Sequence, residues 1–72
     1  MPRAWLKTMR LERKMTQSQV AALAEISESF YCLIENGIRH PSRGVARKLG
    51  AIFNVEWTKF YEEEEYLTPG KG

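Results

Sequence analysis

Hydrophobic positions recur at three- and four-residue steps along nearly the whole chain, the mark of helices that each bury one face. Trp5, Leu6 and Met9, continued by the stem of Arg13, predict a first helix over residues 4–14. Thr16-Gln-Ser-Gln then reads as a capping box, in which the Thr16 hydroxyl and the Gln19 side chain serve each other's backbone N–H groups. Val20, Leu23 and Ala24 give the inward face of a second helix over 17–24, while Ala21 and Ala22 leave room for a close neighbour. Ser27 is the next N-cap, with Glu28 at the positive end of the helix dipole, and the third helix runs to residue 35. Asn36-Gly37 stops it, because Gly accepts the left-handed backbone that a helix end demands. Ile38-Arg39-His40 reads as loop. Pro41-Ser42 starts a fourth helix with Val45, Leu49, Ile52 and Phe53 on one face, and Asn54 is its terminator. A short fifth helix over 56–61 carries Trp57, Phe60 and Tyr61. No strand-like alternation appears. The expectation is an all-α, compact five-helix domain over 1–61, followed by an acidic tail over 62–72.

Composition narrows the chemistry. Seventy-two residues make one core. Cys32 and His40 are the sole residues of their kinds, and Asp is absent. One thiol makes no intrachain disulfide, and one thiol with one imidazole makes no zinc site. Most hydrolytic and metal-assisted catalysis therefore lacks its parts, and no enzyme activity, metal, cofactor or small-molecule substrate is expected. The longest apolar runs, 20–24 and 30–34, are far too short for a membrane. No signal peptide is visible, and a cytoplasmic, reducing setting is expected.

The net charge of +2 is unevenly spread. Residues 1–55 carry nine Lys/Arg against four Glu, and residues 56–72 carry two Lys against five Glu. A basic body with an acidic end suits a polyanionic partner, although an uneven solvated surface gives the same count.

Only Glu25-Ile26 separates the second helix from the Ser27 cap, the short connection of a helix-turn-helix unit. At 100° per residue from Glu28, Tyr31 and Ile34 fall near about 300° and 240° and face the core. Glu28, Ser29, Cys32, Leu33 and Asn36 fall within roughly 0–140°, on the outward face, with Phe30 on the flank. Such a face can enter a major groove.

The run Met15-Thr-Gln-Ser-Gln-Val-Ala-Ala-Leu-Ala-Glu-Ile-Ser resembles the Cro/C1-type helix-turn-helix family. Tyr31, Ile34-Glu35-Asn36-Gly37, Arg39 and Pro41-Ser42 follow in the same register, and the likeness covers residues 4–61. It implies a lambda-repressor-like DNA-binding fold, found in phage repressors, bacterial regulators and antitoxins. The resemblance implies a homodimer on a palindromic operator in double-stranded DNA. It places Gln17 at the DNA backbone and Arg10 with Glu35 as a structural ion pair. Asn36, and Arg39, His40 and Arg43 flanking the start of the fourth helix, read as further backbone contacts, although loop charges are usually just solvated. The resemblance also places Trp57 and Tyr61 at a dimer contact, with Phe60 in the core. Three positions depart from the family pattern. Glu25 stands where Gly is usual, Glu28, Phe30 and Leu33 replace polar residues, and Gly44 replaces a bulkier one.

Each assignment has a plainer rival. Glu28 can accept from a cytosine amine or serve only the helix dipole, and Leu33 can pack on a thymine methyl or on a protein. Ser29 suits a base edge or a phosphate, and Cys32 reads as inert. Glu28, Leu33 and the acidic tail together keep a second function open: a protein-interaction module on the same fold, such as an antitoxin or a modulator of another regulator.

Overall fold

In a computed structural model that describes residues 2–62, helix α1 spans Ala4–Glu12, α2 Gln17–Ala24, α3 Glu28–Glu35 and α4 Arg43–Phe53. A further stretch, α5, is helical over 59–62. Among the described residues there is no strand. Three hydroxyl side chains start three of these helices. Thr16 accepts from the Gln19 N–H at 3.1 Å while the Gln19 side chain accepts from the Thr16 N–H at 2.8 Å. Ser27 caps α3 through the Phe30 N–H at 3.0 Å, and Ser42 caps α4 through the Val45 N–H at 3.3 Å. Each cap satisfies an otherwise orphaned donor and contributes about 1 kcal/mol.

Backbone reversals end the helices. Glu25, Asn54 and Gly37 hold φ of 62°, 58° and 77°. Asn tolerates that region because its short side chain bonds locally; Glu25, standing where Gly is usual, does not share this advantage and carries a mild conformational cost. Its carboxylate is met by Lys48 of α4 at 2.5 Å, which lowers its pKa through the hydrogen bond and the opposite charge.

Three expectations need correction. The first helix stops at Glu12 rather than at residue 14, because Lys14 turns left-handed at φ 55°. The turn is closed by Lys14 N–H to the Leu11 carbonyl and Met15 N–H to the Arg10 carbonyl. Leu23 does not face the core; it is 60% exposed, and Ala21 is buried in its place. The fifth helix begins at 59, not 56, since 57–58 form a turn, and the carbonyls of Glu56, Trp57 and Thr58 accept from the N–H groups three residues on. Glu62 is helical and exposed, and the rest of the expected tail lies outside the described residues.

The core is built from Leu6, Val20, Ala24, Tyr31, Ile34, Leu49, Phe53 and Phe60, all fully buried, with Ala21 and Ala46 filling the close approaches. Helix α2 packs on both α3 and α4, and α1 closes over α3. Gly50 lets the following turn fold back onto α4: a Cβ there would stand 2.7 Å from the Val55 carbonyl oxygen and 3.3 Å from the Trp57 nitrogen. Trp5 meets Phe60 in a tilted ring contact, centroids 5.1 Å apart, so α5 is fastened to α1 by aromatic contact.

Candidate nucleic-acid interface

The turn between α2 and α3 sets the geometry of the exposed face. Val20, Ala24, Tyr31 and Ile34 lock the two helices together inside, and the outward residues of α3 are left beside the N-terminus of α2. Glu28, Ser29, Cys32 and Leu33 join Gln17 around one open cleft of about 380 Å³. Glu28 and Ser29 are exposed, and Cys32 and Leu33 are half-buried. An acceptor carboxylate, a hydroxyl and a branched apolar side chain on one helix face match the edge chemistry of base pairs.

A buried carboxylate holds this face in place. Glu35, 4% exposed in its side chain, takes Arg10 Nε at 2.7 Å and Nη2 at 3.2 Å as a two-point pair. It also accepts from the Tyr31 hydroxyl at 2.9 Å and from the Gln17 side-chain amide at 2.9 Å. Arg10 Nη1 donates onward to the Met15 carbonyl at 2.9 Å. Burial pushes the Glu35 pKa up, but the hydrogen bonds from Arg10, Gln17 and Tyr31 and the guanidinium charge outweigh it, leaving the group below the usual carboxylate range. The Tyr31 hydroxyl is pushed up, first by burial and then by its bond to the carboxylate. Arg10 is held above its ordinary value, first by its hydrogen bond to Glu35. One carboxylate thus joins α1, the start of α2 and the end of α3.

The half-buried Gln17 amide donates to Glu35 at the edge of the cleft that it lines. Asn36 is exposed at the end of α3 and donates to the Cys32 sulfur at 3.3 Å. Arg39, His40 and Arg43 are exposed in the loop and first turn of α4. Backbone bonds from Ile38 and Arg39 N–H to the Leu33 carbonyl fold this loop against α3.

Trp57 and Tyr61 lie apart from the α3 cleft. Both are half-buried and meet edge to face at 5.8 Å. Arg47 lies over the Trp57 ring at 5.2 Å, and the Tyr61 hydroxyl donates to the Pro41 carbonyl at 2.6 Å.

Arg3 is a structural residue that the hydrophobic pattern gives no sign of. It is buried, its backbone N–H donates to the Glu35 carbonyl at 2.8 Å, and its guanidinium donates to the Ile34 and Arg39 carbonyls. Its other terminal nitrogen donates to His40 Nδ1 at 3.1 Å. Arg3 therefore pins the end of α3 to the basic loop and occupies one side of His40. Its position ahead of α1 puts it outside any periodic stripe. The Tyr31–Glu35 bond did have a signal, since residues four apart on a helix are neighbours.

Among the described residues, no three His, Cys, Asp or Glu side chains gather to hold a metal ion, and no helix is long and apolar enough to cross a membrane.

Comparison with known proteins points the same way. The helix-turn-helix family model matches residues 6–60. The chain is 46% identical over 63 residues to the uncharacterized HTH-type transcriptional regulator YqaF of Bacillus subtilis (strain 168), covering 88% of this chain and 83% of that protein. No solved structure gives a significant match. With its short α2–α3 turn and buried Arg10–Glu35 pair, the chain belongs to the Cro/C1-type helix-turn-helix family.

Proposed function

We propose that this protein is a sequence-specific DNA-binding transcriptional regulator, acting as a repressor from a palindromic operator as a homodimer in the cytoplasm. The observation that carries the reading is the shared cleft. Gln17 from the start of α2 and Glu28, Ser29, Cys32 and Leu33 from α3 line one open surface, with no core residue between them and solvent. Helix α3 enters the major groove, where Ser29 and Leu33 meet base edges and Glu28 accepts from a cytosine amine. Gln17, Asn36, Arg39, His40 and Arg43 hold the phosphates on either side. Trp57 and Tyr61 supply the two-fold contact that sets two α3 helices about one DNA turn (~34 Å) apart. The relative's description as an HTH-type transcriptional regulator supports the regulatory part.

Ile38 favours a second reading. It is 67% exposed and sits beside Leu33, whose carbonyl accepts its N–H at 2.9 Å. An apolar pair there suits a protein partner, as an antitoxin or modulator requires.

Binding to a random-sequence duplex at rising salt separates the two. DNA binding gives an affinity that falls steeply and linearly on logarithmic axes, with Gln17→Ala and Arg43→Ala weaker on all duplexes. A chain that ignores duplex DNA at low salt is an interaction module.

A further inference from the structure

Helix α5 is fastened to the basic loop at two points. The Tyr61 hydroxyl donates to the carbonyl of the buried Pro41 at 2.6 Å. The Arg3 guanidinium lies over the Phe60 ring at 5.8 Å, and it donates to the Arg39 carbonyl at 3.2 Å and to His40 Nδ1 at 3.1 Å. The chain therefore leaves Tyr61 beside Pro41, with Arg39 two residues before that proline and Arg43 two residues after it. Both arginines are exposed, and among the described residues neither guanidinium pairs with a carboxylate. The next four residues, 62–65, are all glutamate. Glu62 is exposed, and the three that follow it reach at most about 11 Å further. Lys59, the cation of α5 itself, lies over the Trp5 ring at 5.0 Å.

We propose that the glutamates at 62–65 dock on Arg39 and Arg43 of the same chain, so that the protein's own acidic segment holds this loop until a duplex displaces it. Four like charges in succession repel one another, and two cations at the point where the run begins relieve that repulsion. A guanidinium takes a carboxylate and a phosphate through the same fork of donors, so the two anions compete for one pair of side chains. The docking stands on the charges and on the Tyr61–Pro41 tie alone. The competition rests on the DNA-binding reading and adds a regulatory element to it.

The test compares the full chain with a variant carrying Glu62→Gln, Glu63→Gln, Glu64→Gln and Glu65→Gln, first without DNA. In heteronuclear NMR spectra at low salt, the Nε–H resonances of Arg39 and Arg43 should differ between the two proteins, while that of Arg13, bonded to the Phe53 carbonyl, should not. Added salt should erase the difference, as it does for exposed charges. Arginines that do not move overturn the docking. Shifts in the parent that grow with protein concentration assign the glutamates to a second copy and overturn it too. Binding to a random-sequence duplex then reads the competition. The four-glutamine variant should bind about three- to thirtyfold more tightly at low salt, the range expected of two exposed ion pairs. In a background of Arg39→Gln with Arg43→Gln, the same four substitutions should change affinity by less than about twofold, because the cations they release are gone. An equal gain in both backgrounds is plain repulsion between glutamate and phosphate, and it overturns the competition. If the parent binds no duplex, the DNA reading fails and the competition with it; unmoved arginines in a parent that does bind defeat the docking alone.

Discussion

Gln17 and Glu35 are hydrogen-bonded at 2.9 Å, so the first residue of α2 is held by the carboxylate that closes α3 and pairs with Arg10 of α1. The relationship couples stability to the exposed face. An amide fixed on its N–H side keeps its carbonyl and the neighbouring backbone in a set orientation, and the α3 cleft inherits that order.

Removing one partner of this buried pair leaves the other charge stranded. Arg10→Met is expected to destabilise the fold by up to about 3–5 kcal/mol, because Glu35 remains buried among fewer donors. Lys7→Met, on the same helix and exposed, is expected to cost less than about 0.5 kcal/mol. Urea denaturation followed by helical circular dichroism compares them; coincident midpoints contradict the assignment.

The two shifted groups around Arg10 set a pH window. Glu35 has a folded pKa below its unfolded value, so its contribution is present above pH 4.5 and is lost as the pH falls through the folded value. Tyr31 has a folded pKa raised above the unfolded value of 10, so the folded state keeps a proton that the unfolded chain loses, and stability falls as the pH rises past 10. Thermal midpoints should therefore fall at both ends, and Glu35→Gln should flatten the acid limb. An acid limb identical in Glu35→Gln and the parent refutes the Glu35 part.

Two glycines of α4 should respond with opposite signs. A Cβ at Gly44 meets nothing within 4 Å, so Gly44→Ala gains about 0.5–1 kcal/mol from restricting the unfolded chain. At Gly50 the Cβ collides with the backbone of the following turn, and Gly50→Ala costs about 1–3 kcal/mol. Chemical denaturation of both variants checks the signs.

Trp57 is half-buried and braced by Arg47 and Tyr61. As a dimer anchor it should cost 2 kcal/mol or more of self-association when truncated to Ala, an order-of-magnitude figure for interface hot spots. Sedimentation of Trp57→Ala beside the parent, with circular dichroism to show that the helices persist, is the measurement. An unchanged oligomeric state, or a variant that unfolds, assigns Trp57 to the core.

Helix boundaries were legible where a side chain states them. Thr16, Ser27 and Ser42 announce starts, and Gly37 and Asn54 announce stops. Lys14 announces nothing, and the apolar spacing runs on two residues past the end of α1. On α2, Val20, Leu23 and Ala24 span an arc of about 100°, and Val20, Ala24 and Ala21 span an arc just as wide. Hydrophobicity prefers the leucine, but α2 is wedged between α3 and α4, and close packing there selects the small side chain. The same limit hid Gly50, whose need for glycine arises only when residues 55–57 fold back on it. The outward face of α3 was readable from angle alone, since Tyr31 and Ile34 fix the inside. Arg3 was not, because hydrogen bonds to carbonyls 31 and 36 residues away leave no local pattern.

Selection of binding sites from a library of random duplexes, run in parallel for the parent and for Glu28→Ala, Ser29→Ala and Leu33→Ala, tests the central claim most directly. The parent should enrich a palindrome whose half-sites are centred about 10–10.5 base pairs apart. Each α3 variant should lose discrimination at one or two base pairs, by about 1–3 kcal/mol, with its fold intact. Glu28→Ala should in addition bind non-specific duplex more tightly, having lost a negative charge near phosphate. A parent that enriches no sequence, or three variants that enrich the parent's site unchanged, would contradict sequence reading by α3.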